Sequence, residues 1–280
     1  MSEYSLKAMC YVLDVTRQGY YKYKQNKAKP YKHTALLATI KGILLQDEFN
    51  DTYGRERLKI ALENEGYMAS ERTIYRVLQD NGLKTPKKKP LSLTKSDKDA
   101  YKNDDILQGD FFSQDAGVKI ISDITQLPTK DGKLYISAVF DCYNAKCIGL
   151  SQSSTMETEL VVKSLKQASN HMKQGAIFHT DRGSQYTSNT FRTQICRLKL
   201  RQSMRHAKTN CYGNARCESM FARFKEEAIY NRYDTKNMSM EDVKSLVFRY
   251  FMSYWNNRRI FGKAKNKKAV YKIKSYINAA

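Results

Sequence analysis

The spacing of apolar residues divides the chain into a helical first part and a strand-rich second part. Up to about residue 83, apolar residues recur at helical intervals, as at Leu36, Ile40 and Ile43. After Asp105, short apolar runs predict strands over 118–125, 133–141, 146–152, 176–180 and 200–204. Helical spacing returns over 157–170, 189–198 and 215–229. Strands followed by alternating helices and strands predict an α/β fold with a mixed sheet flanked by helices. An all-α N-terminal region precedes it in the chain.

The first residues predict a short helix pair over 6–23. One apolar stripe is formed by Leu6, Met9, Cys10 and Leu13. A turn is expected at 14–19, and the basic run 22–32, which contains the helix breaker Pro30, is expected to be a linker.

Residues 53–83 predict a helix-turn-helix unit whose turn is formed by 64–67. Ser70 is a suitable N-cap for the second helix, and Ile74, Val77 and Leu78 would face inward. The side chains then left to project outward are Arg72, Thr73 and Arg76. A helix of this kind can lie in the major groove of DNA; the alternative is a helical hairpin that only packs.

A basic stretch with two prolines follows at 84–90 and includes Lys87, Lys88 and Lys89. It is either a solvated tether or a segment that contacts phosphates. The predicted organisation is an N-terminal helical segment (1–33), a helix-turn-helix DNA-binding domain (34–84), a basic linker (85–109), a catalytic core (110–235) and a C-terminal helical extension (236–280).

Composition favours a polyanionic partner. Among 280 residues, 49 Lys and Arg against 28 Asp and Glu give a formal charge of +21, which indicates nucleic acid or an anionic surface unless it only keeps the protein soluble. The six cysteines have no C-x-x-C spacing and no histidine at zinc-ligand spacing, as expected for reduced thiols in the cytoplasm. No apolar stretch approaches the roughly 20 residues of a membrane span, so no membrane partner is expected.

Three acids indicate a metal-binding site: Asp123, Asp181 and Glu218. Asp123 and Asp181 each end an apolar run, where a carboxylate is costly unless it is paired or binds a metal. Glu218 would share a helical face with Asn214 and Lys225. Each acid alone is more typical of a strand cap or a solvated helix position. Together they can hold two Mg²⁺ ions roughly 3.5–4 Å apart for phosphoryl transfer.

The surrounding motifs resemble a known family. The stretches I-S-D-I-T, H-T-D-R-G-S-Q-Y-T-S and N-C-Y-G-N-A-R-C-E-S-M-F-A-R-F-K-E-E closely resemble the second-frame (OrfB) protein of insertion-sequence-three-type transposases, which is similar to the retroviral integrase core. The stretches V-L-D-V-T-R-Q-G-Y-Y-K-Y, Y-G-R-E-R-L and Y-W-N-N-R-R extend the resemblance over almost the whole chain.

The resemblance implies an RNase H-like fold and a D-D-E triad in which Asp123, Asp181 and Glu218 bind two Mg²⁺ ions, with Mn²⁺ able to substitute. It also implies that Lys225 and Asn214 lie near DNA. The chain departs from the family pattern in Gly213 for the usual Asp, in 36 rather than 35 residues between Asp181 and Glu218, and in Ile260-Phe261 for Pro-His.

The expected function is therefore metal-dependent cleavage and strand transfer of DNA ends. Expected partners are double-stranded DNA, further copies of the chain and an upstream-frame protein, in the bacterial cytoplasm near the nucleoid. The alternatives are a non-catalytic DNA-binding regulator of transposition and a nuclease that cuts without joining.

The remaining candidates have simpler interpretations. Asp141 is expected to be a turn acid, while His179 and Cys217 are expected to pack. Arg182 and Gln185 belong to a polar loop, with Ser184 and Tyr186, that either positions substrate or only bonds within the loop. The aromatic residues expected in the core are Tyr250, Phe251, Tyr254 and Trp255.

Overall fold

The protein is described by a computed structural model over residues 5–28, 30–83, 105–204, 215–230 and 232–261. Five candidate site residues or linker positions, Lys87, Lys88, Lys89, Asn214 and Gly213, lie outside the described residues.

The predicted N-terminal helix pair is present as α1 (Leu6–Val12) and α2 (Arg17–Ala28). The predicted linker over 22–32 is wrong in its first part, because α2 continues to Ala28. Residues 22–28 contain no glycine or proline, and their Lys, Gln and Ala residues favour a helix. The predicted apolar stripe is also only partly correct: Cys10 is buried, but Leu13 is 70% exposed.

Three helices build the predicted helix-turn-helix region: α3 (Thr34–Leu45), α4 (Arg55–Asn64) and α5 (Glu71–Asp80). Ser70 caps α5 as predicted, since its hydroxyl accepts a hydrogen bond from the Thr73 N–H at 3.2 Å. Gly66 turns the chain between α4 and α5 with φ +75°, a backbone region that favours glycine. Ile74, Val77 and Leu78 are buried, which confirms the predicted inner face of α5.

The second part contains a five-stranded sheet. Its strands are β1 (Lys119–Thr129), β2 (Gly132–Asp141), β3 (Cys147–Ser153), β4 (Ile177–Thr180) and β5 (Arg201–Met204). The order is β3-β2-β1-β4-β5. The first three strands pair antiparallel, whereas β4 pairs parallel with both β1 and β5. All five predicted strands are confirmed, and the mixed sheet is the predicted one.

Helices cover both faces of the sheet. One face packs against α6 (Thr158–Ala168) and α8 (Asn189–Arg197), with Val139, Leu165 and Phe191 in its core. Gly149 on β3 lets α6 approach closely, because a Cβ there would lie 2.2 Å from the Ser164 carbonyl oxygen. A one-turn helix, α7 (Ser184–Thr187), was not predicted.

The other face packs against α9 (Ala215–Phe224) and α10 (Met240–Phe248). Each of these helices continues in a wider π-type turn, Lys225–Ile229 after α9 and Arg249–Trp255 after α10. The predicted core aromatics of the second turn are all buried.

The N-terminal unit docks on this face through Phe49, which is 1% exposed. Its ring lies 5.2 Å from the ring of Tyr250 and 4.9 Å from that of Tyr254. Ion pairs surround the contact, joining Asp47 to Arg258, Glu48 to Arg249 and Asp51 to Arg232. The helix-turn-helix region therefore rests on the C-terminal helical extension.

Side-chain amides close part of the outer edge of β3. The Asn256 side chain accepts a hydrogen bond from the Cys147 N–H and donates one to the Cys147 carbonyl, both at 2.9 Å. The Gln167 side chain accepts from the Leu150 N–H at 2.9 Å. Among the described residues no helix is long and apolar enough to cross a membrane, and the five cysteines there are free thiols.

Candidate active site

Two of the three candidate acids lie on neighbouring parallel strands, Asp123 within β1 and Asp181 directly after β4. Strand β1 runs parallel to β4, with Ile121 opposite His179. Two residues further along each strand stand Asp123 and Asp181, so the register places the two acids opposite each other, Asp181 just past the end of β4. The sequence positions of both acids relative to their strands are confirmed.

Backbone donors orient both carboxylates. The Ile124 N–H donates to Asp123 Oδ1 at 2.8 Å, and the Gly183 N–H donates to Asp181 Oδ1 at 3.0 Å. A hydrogen bond to the charged form favours ionisation. Each acid is half-buried.

Helix α9 carries Glu218, and the π-type turn after it begins with Lys225; the charges of both residues act on Asp123. The pKa of Asp123 is raised well above its ordinary value, first by burial and then by the charge of Asp181, with Glu218 adding to the effect. The Ile124 N–H and the Lys225 ammonium act in the opposite direction. Lys225 is half-buried, which lowers its pKa, while the charge of Asp123 raises it. The charges of Asp181, Glu218 and Lys225 therefore all act on Asp123, in agreement with the predicted helical face shared by Glu218 and Lys225.

The donor set suits a hard cation, since carboxylate oxygens are the ligands that Mg²⁺ prefers. Within the described ranges, no three His, Cys, Asp or Glu side chains are placed close enough to hold a metal ion together. Glu218 lies exposed in the first turn of α9, directly after the undescribed residues 205–214. The charges of Asp181 and Glu218 raise the pKa of Asp123, and a bound divalent cation would relieve this repulsion.

Tyr186 is a site residue that sequence reasoning misplaced. It was expected in a polar loop, but it is 1% exposed in α7, because its ring fills the space beside Phe191. Its hydroxyl shares a hydrogen bond of 3.0 Å with the Ser122 hydroxyl, next to Asp123. Burial raises its pKa well above the ordinary value, and the charges of Asp123 and Asp181 add to this.

The residues expected to pack do so. His179 is fully buried, with Nδ1 2.9 Å from the Ser203 hydroxyl and its ring edge-on to Phe111. Cys217 is fully buried beside Glu218 in the chain, and burial raises its pKa. Asp141 accepts hydrogen bonds from the N–H groups of Gly117 and Tyr143, as expected of a turn acid.

The candidate DNA contacts are distributed over two regions. On α5, Arg72 and Arg76 are exposed, and Thr73 is half-buried against Ser70. Near Asp181, Arg182 is half-buried, and the Gln185 side chain donates to the Met156 carbonyl at 3.0 Å. A further basic surface lies on α2, where residues 17–26 are all exposed and carry Arg and Lys but no acid; the sequence predicted part of this basic run only as a linker.

Comparison with known proteins agrees with this arrangement. The integrase core domain family matches residues 114–210, a range that contains Asp123 and Asp181. The chain is 32% identical over 265 residues to the transposase InsF for insertion sequence IS3A of Escherichia coli (strain K12), covering 92% of this chain and 90% of that protein. The chain belongs to the IS3 family of transposases.

The chain is also similar to the transposase for insertion sequence element IS904 of Lactococcus lactis subsp. lactis (strain IL1403), 30% identical over 217 residues, 76% of this chain and 84% of that protein. Among solved structures, the simian T-cell lymphotropic virus intasome in complex with PP2A regulatory subunit B56 gamma is 15% identical with a TM-score of 0.43, covering 75% of this chain and 68% of that one. The sheet order and the integrase core match confirm the predicted RNase H-like fold.

Proposed function

We propose that this IS3-family chain cuts the ends of an insertion sequence and joins them to target DNA, in a reaction that needs divalent metal ions held by Asp123, Asp181 and Glu218. The observation that supports the proposal is that Asp181 stands opposite the half-buried Asp123 in the strand register, while the charges of Glu218 and Lys225 also act on Asp123. A cluster of this kind costs folding free energy and is typical of a functional site.

The chain fits Mg²⁺ chemically, because the acids supply only oxygen donors and both strand-borne acids are pre-oriented by backbone N–H groups. Two bound ions would supply activation of the attacking oxygen and stabilisation of the leaving oxygen. Asp123 lies on β1 and Asp181 directly follows β4, and the parallel register of these strands supports a spacing that is set before any ion binds.

The neighbouring residues have supporting roles in the proposal. Lys225, held half-buried next to Asp123, would bind a DNA phosphate beside the acids. Arg182 and Gln185 would position the DNA end, and Asn214 would contribute to the same surface. Tyr186 would support the carboxylates from the opposite face of the sheet through Ser122.

DNA would also be bound away from the acids. In the proposal Arg72, Thr73 and Arg76 of α5 enter a groove, and Lys87, Lys88 and Lys89 contact phosphates between the two regions. The chain would act as a homo-oligomer on DNA together with an upstream-frame protein, in the bacterial cytoplasm. The non-catalytic regulator is not favoured, because the chain is similar to transposases over 92% of its length and retains all three acids in its sequence.

The test uses labelled DNA that carries the element's ends, incubated with Mg²⁺, with Mn²⁺ or with EDTA. We expect nicked and joined products with wild type and with the control Glu226→Gln, a neighbouring glutamate on the turn after α9. Glu218→Gln should lower the product yield on the order of 10³-fold while DNA binding is retained. Equal yields from Glu218→Gln and wild type would exclude the triad, and nicks without joining would favour the nuclease.

A further inference from the structure

A buried carboxylate behind the active site connects three parts of the chain. Glu227 is 3% exposed and lies in the π-type turn that follows α9. Its Oε1 accepts hydrogen bonds from Arg57 Nη1 at 3.0 Å and Arg259 Nη2 at 2.7 Å. Its Oε2 accepts from Arg259 Nε and from the Tyr250 hydroxyl, both at 2.8 Å. Each carboxylate oxygen thus accepts two hydrogen bonds, which is the condition under which a buried charge is retained.

The two arginines are themselves fixed. Arg57, on α4 of the helix-turn-helix region, also donates from Nη2 to the Thr52 carbonyl at 2.8 Å. Arg259 lies between aromatic rings, with its guanidinium carbon 4.7 Å from the centre of the Trp255 ring and 4.5 Å from that of Phe261. A planar guanidinium held by stacking and a bidentate ion pair leaves little freedom for the carboxylate it binds.

This cluster holds α9, the helix that carries Glu218, from the side opposite the acids. Glu218 and Lys225 are seven residues apart, close to two helical turns, and therefore lie on one face. Glu227, two residues beyond Lys225, projects away from that face into the contact with α4 and the C-terminal segment. A π-type turn at this point is a feature frequently found at functional sites.

The charge of Glu227 does not change over the working pH range. Burial alone would raise the pKa of Glu227, but the hydrogen bonds and charges of Arg259 and Arg57 lower it to about 2. The carboxylate therefore stays ionised at any pH at which the protein works, and the contact is permanent as long as α4 and the C-terminal segment are docked.

We propose that Glu227 is a positioning residue for the reaction. Through Arg57 and Arg259 it fixes the orientation of α9 and of the turn after it, so that Glu218 and Lys225 face Asp123 only when the helix-turn-helix region is docked. The DNA-binding region and the third acid are then mechanically linked through one carboxylate. This inference rests on the proposed function of Glu218.

A purely structural role would produce a different result from a positioning role. Glu227→Gln leaves the buried Arg259 and the half-buried Arg57 without the charge of Glu227 and can simply unfold the chain. Arg57→Gln is the sharper variant, because Glu227 keeps its bonds to Arg259 and Tyr250 while its link to α4 is lost, together with the Arg57 bond to the Thr52 carbonyl. The matched control is Arg55→Gln, which removes an exposed arginine of the same helix that pairs with Glu71.

The experiment measures hydrogen exchange over residues 215–230 in the metal-free full-length chain, and the Mg²⁺ concentration that gives half-maximal cleavage. For Arg57→Gln we expect exchange at least about tenfold faster in this segment and a half-saturating Mg²⁺ concentration raised about tenfold, with exchange in β1 and DNA affinity unchanged. Arg55→Gln should match wild type in every measurement.

Unchanged exchange and an unchanged Mg²⁺ requirement in Arg57→Gln would overturn the proposal. Faster exchange across β1 as well would also overturn it, because the residue would then only stabilise the whole fold. If wild type cuts no DNA even with the upstream-frame protein present, the proposed function fails, whereas the exchange comparison still decides whether Glu227 orients α9.

Discussion

Asp123 and Asp181 occupy equivalent positions on adjacent parallel strands, each two residues beyond the paired residues Ile121 and His179. Their opposition is set by the backbone register rather than by side-chain contacts. The pairing of two acids is therefore built into the sheet, and its electrostatic cost is present even before a metal ion binds.

This cost predicts that Asp123→Asn stabilises the metal-free chain. Burial and the charges of Asp181 and Glu218 raise the pKa of Asp123 in the folded state. The folded chain then binds the proton more tightly than the unfolded chain does, so stability is lost as the pH rises from about 4 through the folded-state pKa. At pH 7 we expect Asp123→Asn to raise the free energy of unfolding by about 1 kcal/mol, measured by urea denaturation in EDTA.

The gain should shrink as the pH is lowered toward 4, where Asp123 in wild type is protonated. Asp115→Asn, which changes an exposed aspartate paired with Lys173, serves as the control and should show no such trend. A gain that grows on acidification would contradict the direction of the Asp123 shift.

The two neighbouring arginines 258 and 259 should differ sharply. Arg259→Met leaves the buried Glu227 without its bidentate partner and should cost about 3–5 kcal/mol of unfolding free energy. Arg258→Met removes an ion pair to Asp47 in which the arginine side chain is 60% exposed, and should cost less than about 1 kcal/mol. Similar losses in the two variants, measured by urea denaturation, would show that Glu227 is not held as the structure indicates.

Two glycine-to-alanine substitutions should change the free energy of unfolding in opposite directions. In Gly149→Ala the new methyl group would meet the Ser164 carbonyl oxygen at 2.2 Å, so α6 must move away from β3, at a cost of about 1–3 kcal/mol. Gly42→Ala, in the middle of α3 with no atom within 4 Å of the new methyl group, should stabilise by roughly 0.5–1 kcal/mol. Thermal denaturation of both variants tests how closely α6 packs on the sheet.

The exposed arginines of α5 should determine part of the salt dependence of DNA binding. We expect the double variant Arg72→Gln and Arg76→Gln to lower the slope of log affinity against log salt by about 1–2. The matched control is Arg197→Gln, an exposed arginine at the end of α8. Fluorescence anisotropy with element-end DNA gives both slopes, and equal slopes would remove α5 from the DNA interface.

Sequence reasoning located the strands and the acids because their signals are local. Asp123 and Asp181 interrupt apolar runs, and the inner face of α5 follows from Ile74, Val77 and Leu78. The helix α2 was shortened in the prediction, because a basic composition was weighed above helix propensity between Lys22 and Ala28.

The contacts of Tyr186 and Glu227 could not be predicted, because they depend on tertiary packing. Tyr186 follows a run of polar residues, yet its ring fills a space left by Phe191. Glu227 is the second of two adjacent glutamates, and nothing local distinguishes it from Glu226. Glu227 forms a buried ion pair only because the fold brings Arg57, 170 residues earlier in the chain, and Arg259, 32 residues later, into contact with it.

The amide of Asn256 has a consequence for handling the catalytic core on its own. With Gln167 it occupies backbone groups of β3 at the outer edge of the sheet, where an unpaired strand is a template for association with other chains. A fragment that ends at residue 235 retains all three acids but loses the Asn256 contacts to Cys147. Such a fragment should be prone to aggregation through β3, so that poor solubility of an isolated core would reflect an uncovered strand rather than a misfolded active site.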